Sequence, residues 1–234
     1  MRAVSWKSGF TALAASFAVL LFSGCQSVAG SSSATEVRVI DASYNAPAVS
    51  VDIATSPIAT NIAQATITNY AILGVGNKTA YIYATGSKTA SASIAGSFAA
   101  GQQHSVYITD SGSAYTASLL TDQNTAAPSG YVAVRFLQQA LTTGAVDIYF
   151  IPSGSTITDS TALLTDVAAG TVTTYTNIPT GTYTLVVTAT GSTVAKYTSA
   201  SMTLTSGAVR TMLVMDAQLT SDPPVTVVVG DDLD

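Results

Sequence analysis

From Val37 onward, apolar and polar residues alternate with a period of two, and glycines or short polar turns interrupt the alternation. Val49, Val51 and Ile53 alternate with Ser50 and Asp52, and farther along Val146, Ile148 and Phe150 alternate with Asp147 and Tyr149. This is the pattern of strands with one buried face. It predicts further strands near 63–70, 79–85, 90–98, 104–109 and 115–121, and near 171–176, 182–190, 194–204, 208–215 and 225–229. Gly76, Gly86, Gly101, Gly181, Gly191 and Gly207 punctuate them, and no stretch carries a helical stripe. About seven short strands per hundred residues predict an all-β fold of immunoglobulin-like or transthyretin-like β-sandwiches, with an eight-stranded barrel as the alternative closure.

The pattern occurs twice. Val37-Arg38-Val39-Ile40 aligns with Val134-Arg135-Phe136-Leu137, and Thr66-Ile67-Thr68-Asn69-Tyr70 with Thr171-Val172-Thr173-Thr174-Tyr175. Ala84-Thr85-Gly86-Ser87 recurs as Ala189-Thr190-Gly191-Ser192, and Gly101 through Asp110 parallels Gly207 through Asp216. The copies meet at Ala127-Pro128-Ser129-Gly130, a turn-rich joint. Two tandem sandwich domains are expected, over residues 37–127 and 131–234, each of a size that can fold alone.

The N-terminus differs. Arg2 and Lys7 precede an apolar run from Phe10 to Phe22, as long as a signal-peptide core and too short to span a bilayer. The run ends Leu21-Phe22-Ser23-Gly24-Cys25, which resembles a bacterial lipobox with Phe22 where an aliphatic is usual. The resemblance implies that residues 1–24 are removed and that Cys25, the sole cysteine, carries acyl chains that hold the protein at a membrane. Gln26 in place of Asp points to the outer membrane, on its periplasmic or surface face. The alternative is ordinary secretion, with cleavage after Ser27-Val28-Ala29. Residues 25–36 then read as the lipidated cysteine and a Gly/Ser-rich tether.

Composition narrows the partners. Loss of Arg2 and Lys7 leaves six basic residues against thirteen acidic ones. So acidic a chain is unsuited to nucleic acid. Charged residues make up only 9% of the chain, so Thr and Ser hydroxyls take their place on the solvated strand faces.

Val37-Arg38-Val39-Ile40-Asp41-Ala42-Ser43-Tyr44-Asn45-Ala46-Pro47-Ala48-Val49 resembles the opening of the domain-of-unknown-function family 4397, typically V-R-V-x-H-A-S-P-D-A-P-x-V-D-V-Y. Gly181-Thr182-Tyr183-Thr184-Leu185-Val186-Val187 resembles that family's later G-x-Y-x-x-x-V strand. Asp41, Tyr44 and Asn45 depart from the pattern, and the second copy keeps little beyond Val134-Arg135 and Ala145-Val146-Asp147-Ile148-Tyr149. The resemblance implies an envelope β-sandwich, often lipid-anchored and in tandem. It implies no activity and no catalytic residues.

The residues themselves offer little chemistry. His104 is the only histidine and Arg210 stands at its place in the second copy; a triad with Ser105 fails because adjacent strand residues point to opposite faces. A histidine at a strand entrance with one wet ring edge is the simpler expectation. One histidine and one lipidated cysteine serve zinc poorly, no calcium loop is present, and Asp231, Asp232 and Asp234 read as a solvated acidic tail. No catalytic residue, metal or cofactor is assigned, and the protein is not expected to be an enzyme.

Arg38/Arg135, Tyr70/Tyr175, Thr66/Thr171, Thr68/Thr173 and Asp110/Asp216 are retained in both copies, which suggests Arg–Asp pairing at sheet edges and tyrosines closing the cores. Tyr81 and Tyr83 are not shared; they align with Val186 and Thr188 and face away from Ala80, Ile82 and Ala84. They are the candidate ligand-stacking face. The expected function is a lipid-anchored envelope module that binds protein partners; the alternative is a glycan-binding adhesin or accessory module.

Overall fold

The computed structural model describes residues 33–44, 47–111, 114–218 and 224–233; the segment expected to be a signal peptide and Cys25 lie outside them. Among the described residues are nineteen strands and a single 3-10 turn, Ile157–Asp159. In the first copy, β1 (Ala34–Asp41) pairs on one side with the short β4 (Thr66–Ile67) and β5 (Ala71–Gly74). On its other side it pairs with β8 (Gln103–Ser111), which pairs in turn with β9 (Ala114–Asp122). The facing sheet runs β3 (Ser56–Ile62), β2 (Val49–Ile53), β6 (Gly76–Ala84), β7 (Ala92–Phe98).

The second copy repeats this plan. Its β10 (Tyr131–Gln139) is flanked by β13 (Thr171–Val172) and β14 (Thr176–Pro179), and by β18 (Val209–Asp216), which pairs with β19 (Val225–Asp231). Opposite lie β12 (Leu164–Val167), β11 (Val146–Pro152) and β15 (Gly181–Ala189), the last edged by β16 (Ala195–Thr198) and β17 (Met202–Leu204).

Each copy is therefore a two-sheet β-sandwich. The first strand runs parallel to the penultimate one, β1 with β8 and β10 with β18, and the other pairings are antiparallel. In immunoglobulin order the first and second strands share a sheet. Here β1 and β2 lie in opposite sheets, which leaves the transthyretin-like order of the two alternatives.

Period-two burial builds each core. In the first copy Val37, Val39, Val106 and Ile108 meet Val49, Val51, Ile53, Ala80 and Ile82 between the sheets. In the second, Val134, Phe136, Met212 and Val214 meet Ile148, Phe150, Leu185 and Val187. A third apolar layer lies between the copies: Ile40, Ala42, Tyr107 and Leu120 of the first pack with Leu137, Leu213, Met215 and Val228 of the second. The β1 and β10 sheets thus pack face to face, and the molecule is a stack of four sheets. Strands β1, β10 and β18 are buried on both faces, which is why they read as near-continuous apolar runs.

Several elements differ from the sequence-based expectation. Strand β1 starts at Ala34, inside the stretch assigned to the tether, because residues 34–37 pair with residues 71–74 of β5 and the Thr35 hydroxyl donates to the Gln102 carbonyl. The segment predicted at 63–70 forms only the short β4, with β5 following just beyond it, and that at 194–204 is split into β16 and β17. Strand β3 was not predicted. It carries Pro57, which only an edge strand tolerates, and Asn61 in the left-handed region at φ 52°.

Candidate functional site

The polar residues common to both copies converge at the centre of the stack. Arg38, fully buried, sends Nη2 across the interface to Asp232 Oδ1 at 2.6 Å and to Thr211 Oγ1 at 3.0 Å. Its Nε donates to Ser105 Oγ at 2.9 Å, and its Nη1 to the Asp231 carbonyl at 3.0 Å. Arg135 does the reverse. Its Nη2 pairs with Asp122 of the first copy, its Nε donates to Thr211 Oγ1 at 2.9 Å, and its Nη1 reaches the Thr121 carbonyl at 3.5 Å.

Each carboxylate also receives hydroxyls from its own copy. Asp122 Oδ2 accepts from Tyr70 and Ser105, and Asp232 Oδ2 from Tyr175 and Thr211, all at 2.6 Å. The tyrosine rings lie under the guanidinium of their own copy, at 4.7 and 4.8 Å from centroid to Cζ. Burial first, then the adjacent carboxylates, raises the pKa of Tyr70 and Tyr175, so both phenols stay protonated donors. The result is an exchange of arginines between two equivalent cradles, satisfied on every side. It can hold the copies in one register, but it leaves no polar group for a substrate.

This geometry corrects three expectations. The shared Asp110 and Asp216 do not pair with the arginines; Asp216 instead accepts the Thr142 and Thr143 amides and the Thr143 hydroxyl. Asp232 is not part of a solvated tail but is completely buried. His104 has no wet edge: it is 2% exposed, packs edge-on against Phe98, and has no hydrogen bond of ordinary geometry at either ring nitrogen. Burial lowers its pKa against the opposing pull of Asp122 and the Leu120 backbone.

Another difference between the copies is buried farther along the same two strands. Gln138 of β10 accepts the Ala140 amide with Oε1 and donates from Nε2 to the Gly144 carbonyl at 2.6 Å. The corresponding residue of β1 is Asp41, whose Oδ1 accepts the Ser43 amide and hydroxyl while Oδ2, fully buried, has no partner. Burial first, and the nearby Asp110, raise the Asp41 pKa.

The remaining candidates lie on the outer face of the β2–β6 sheet. Tyr81 sits between Asp52 of β2 and Ser93 of β7, and is 36% exposed. Tyr83, half-buried, lies on the same face opposite Ser50. Asn77, Thr79, Ala95 and Ser97 continue that face along β6 and β7. Beside Tyr81 an open groove of about 720 Å³ runs between Ala54, Asn77, Lys78, Ala95 and Ser97. Ala54, at the two-residue β2–β3 turn, holds φ 55°, a conformation costly for a side-chain-bearing residue. Sequence reasoning missed the groove residues because they are small and polar, unlike the tyrosines.

The second copy lacks this open face. Val186 and Thr188 occupy the places of Tyr81 and Tyr83, opposite Tyr149 and Asp147, and are 5% and 0% exposed. No group of three or more acidic, histidine or cysteine residues able to hold a metal occurs among the described residues, and no helix there is long and apolar enough to cross a membrane.

No curated protein matches the chain. Among solved structures, the Bacillus anthracis TIE protein is similar over 85% of this chain at 9% identity and a TM-score of 0.23; the chain spans only 44% of that protein's length. A carbohydrate-binding module of family CBM26, from Eubacterium rectale Amy13K and solved with maltoheptaose, matches over 83% of this chain and 96% of its own, at 7% identity and a TM-score of 0.25. By sequence, residues 35–149 and 153–234 are both fitted by the family model, and the chain belongs to the domain-of-unknown-function family DUF4397, in two adjacent segments.

Proposed function

We propose that the protein is a non-catalytic module of the bacterial cell envelope, exported, held at the outer membrane by acyl chains on Cys25, and acting by binding an envelope protein or a glycan. The observation that carries this reading is the asymmetry between two otherwise parallel copies. Both spend their arginines and central carboxylates on each other, yet only the first keeps an outer sheet face open, with Tyr81 at its middle. A rigid stack with one differentiated face suits display and recognition.

The anchor follows from the Leu21-Phe22-Ser23-Gly24-Cys25 run. Each buried acyl methylene contributes about 0.8 kcal/mol, so two or more chains hold a folded domain at a membrane stably. A second reading, a glycan-binding adhesin or accessory module, is favoured by the groove beside Tyr81, whose lining sets the Asn77 amide and the Thr79 and Ser97 hydroxyls around an aromatic ring and two alanines.

Fractionation of cells expressing the full chain, with crosslinking in native membranes, tests the reading. The wild type should be membrane-bound and carry a crosslinked partner, and Cys25→Ser should become soluble. Wild-type protein in the soluble fraction overturns the anchor, and a protein that crosslinks to nothing overturns the binding role.

A further inference from the structure

The groove on the first copy has features that together specify a ligand chemistry. It crosses the middle of a sheet face, because β6 is paired on both sides, by β2 and by β7. A peptide added as a strand would pair along the outer edge of β7 and not lie over the face from which Tyr81 projects. The floor is built from Ala54 and Ala95, which leave a flat bed without the deep apolar sockets that peptide side chains require. Over that bed stand one aromatic wall, Tyr81, and a set of short hydrogen-bonding groups: the Asn77 amide and the Thr79 and Ser97 hydroxyls.

A ligand for such a surface has a flat C–H face for the ring and many hydroxyls for the rim. Charge decides between neutral and acidic versions. Lys78 alternates with Asn77 and Thr79 and so leaves β6 on the opposite face, whereas Asp52 lies directly across from Tyr81 on the groove's own face, and the chain as a whole carries net charge −5. An anionic polymer would meet that carboxylate and that field, whereas a neutral one can donate to Asp52.

We infer that the Tyr81 groove is a binding site for a neutral oligosaccharide, with a pyranose ring stacked on Tyr81 and its hydroxyls held by Asn77, Thr79 and Ser97. The site belongs to the first copy alone, since Val186 and Thr188 fill its counterpart. This inference rests on the reading of the protein as a binding module and gives that module a ligand class. The volume of about 720 Å³ suits a short segment of two or three sugar units rather than a single one.

The test is titration calorimetry of the full chain carrying Cys25→Ser against a panel of neutral tetrasaccharides (gluco-, xylo-, manno- and N-acetylglucosamine-based), with polygalacturonate and an extended acidic peptide as counter-probes. At least one neutral tetrasaccharide should bind, tenfold or more weaker in Tyr81→Ser and in Ala95→Phe, which fills the groove from an exposed position. Lys196→Met, on the second copy, should bind as the parent does. Both groove variants should keep the parent's melting temperature, so that lost binding reports the site and not unfolding. Failure of every neutral sugar, retention of binding in both groove variants, or binding of polygalacturonate or peptide alone each overturns the inference. The first and last of these leave the membrane crosslinking result untouched, which separates a wrong ligand class from a wrong role.

Discussion

Arg38 of the first sandwich donates to Asp232 of the second at 2.6 Å, and both side chains are wholly buried. The same bond recurs in mirror order between Arg135 and Asp122, so each copy supplies the cation for the other's carboxylate. An isologous interface has this self-complementary character, in which residue i meets j and j meets i. The tandem chain reproduces it within one polypeptide.

Removal of one partner strands a buried charge, and that penalty is large. Arg38→Met should destabilise the protein by about 3–5 kcal/mol, since Asp232 and Asp122 lose a counter-ion without regaining water. Arg38→Lys should also be costly, because one ammonium cannot reproduce the three-way fork to Ser105, Thr211 and Asp232. Chemical denaturation measures both. A cost under about 1 kcal/mol for Arg38→Met would mean that the interface is hydrated and the pair exposed in solution.

A second expectation concerns a close approach of backbone between the copies. A Cβ on Gly230 of β19 would lie 2.8 Å from Ile67 Cγ2 and 3.1 Å from Arg38 Nη1. Gly230→Val should therefore push the β1 and β10 sheets apart and break the Arg38–Asp232 bond, with an overpacking cost of about 1–3 kcal/mol or more. Limited proteolysis at the 123–130 joint should accelerate in this variant. An unchanged cleavage rate together with unchanged stability would show that the sheets can slide to accept the side chain.

The sandwich within each copy was legible from period-two alternation, because β2 and β6 bury one face more fully than the other, and β11 alternates in residue type although Asp147 is itself buried. The four-sheet stack was not. Its signal lay in Val132-Ala133-Val134-Arg135-Phe136-Leu137 and in Thr211-Met212-Leu213-Val214-Met215, apolar runs without alternation that mark strands buried on both faces. The retention of Arg38 and Arg135 pointed at structural pairing, but local sequence cannot tell a partner in the same copy from one in the other. Asp122 and Asp232 were passed over because each ends a final strand, where an acidic residue normally meets solvent. Tyr81 was legible as outward-facing from its alternation with Ala80 and Ile82, while the groove beside it needed the positions of Ala54 and Ala95 in space.

Asp41 yields a third prediction. Its folded-state pKa lies above the ordinary 3.8, so the folded protein binds more protons than the unfolded chain as pH rises past that value. Stability is then lost between the ordinary carboxylate pKa and the raised one, and the deficit persists at neutral pH. Asp41→Asn should be neutral near pH 3 and stabilising at pH 7, because its amide supplies a donor where Oδ2 has no partner, as Gln138 does in the second copy. Melting temperatures of both proteins from pH 3 to 8 measure the difference. A destabilised Asp41→Asn at pH 7 would show that the ionised carboxylate is the form the fold requires.

His104 gives the opposite dependence. Its pKa is lowered from the ordinary 6.5 because the ring is buried against Phe98 between the sheets of the first copy, so here the unfolded state binds the extra proton. The stability of the folded state is therefore complete above pH 6.5 and declines as pH falls through 6.5 toward the lowered value. The nearby Asp122 attracts the proton but does not offset the desolvation, because Asp122 is already committed to Arg135, Tyr70 and Ser105. His104→Phe keeps an aromatic ring beside Phe98 and removes both unpartnered nitrogens. It should raise stability at every pH and abolish the part of the decline that sets in as pH falls below 6.5, leaving the carboxylate-driven loss at lower pH in place. Denaturation midpoints at half-unit steps across the neutral and acid range resolve the two phases. A variant whose midpoint still falls in parallel with the parent as pH drops below 6.5 would assign that decline to the buried carboxylates and leave the imidazole with no part in acid sensitivity.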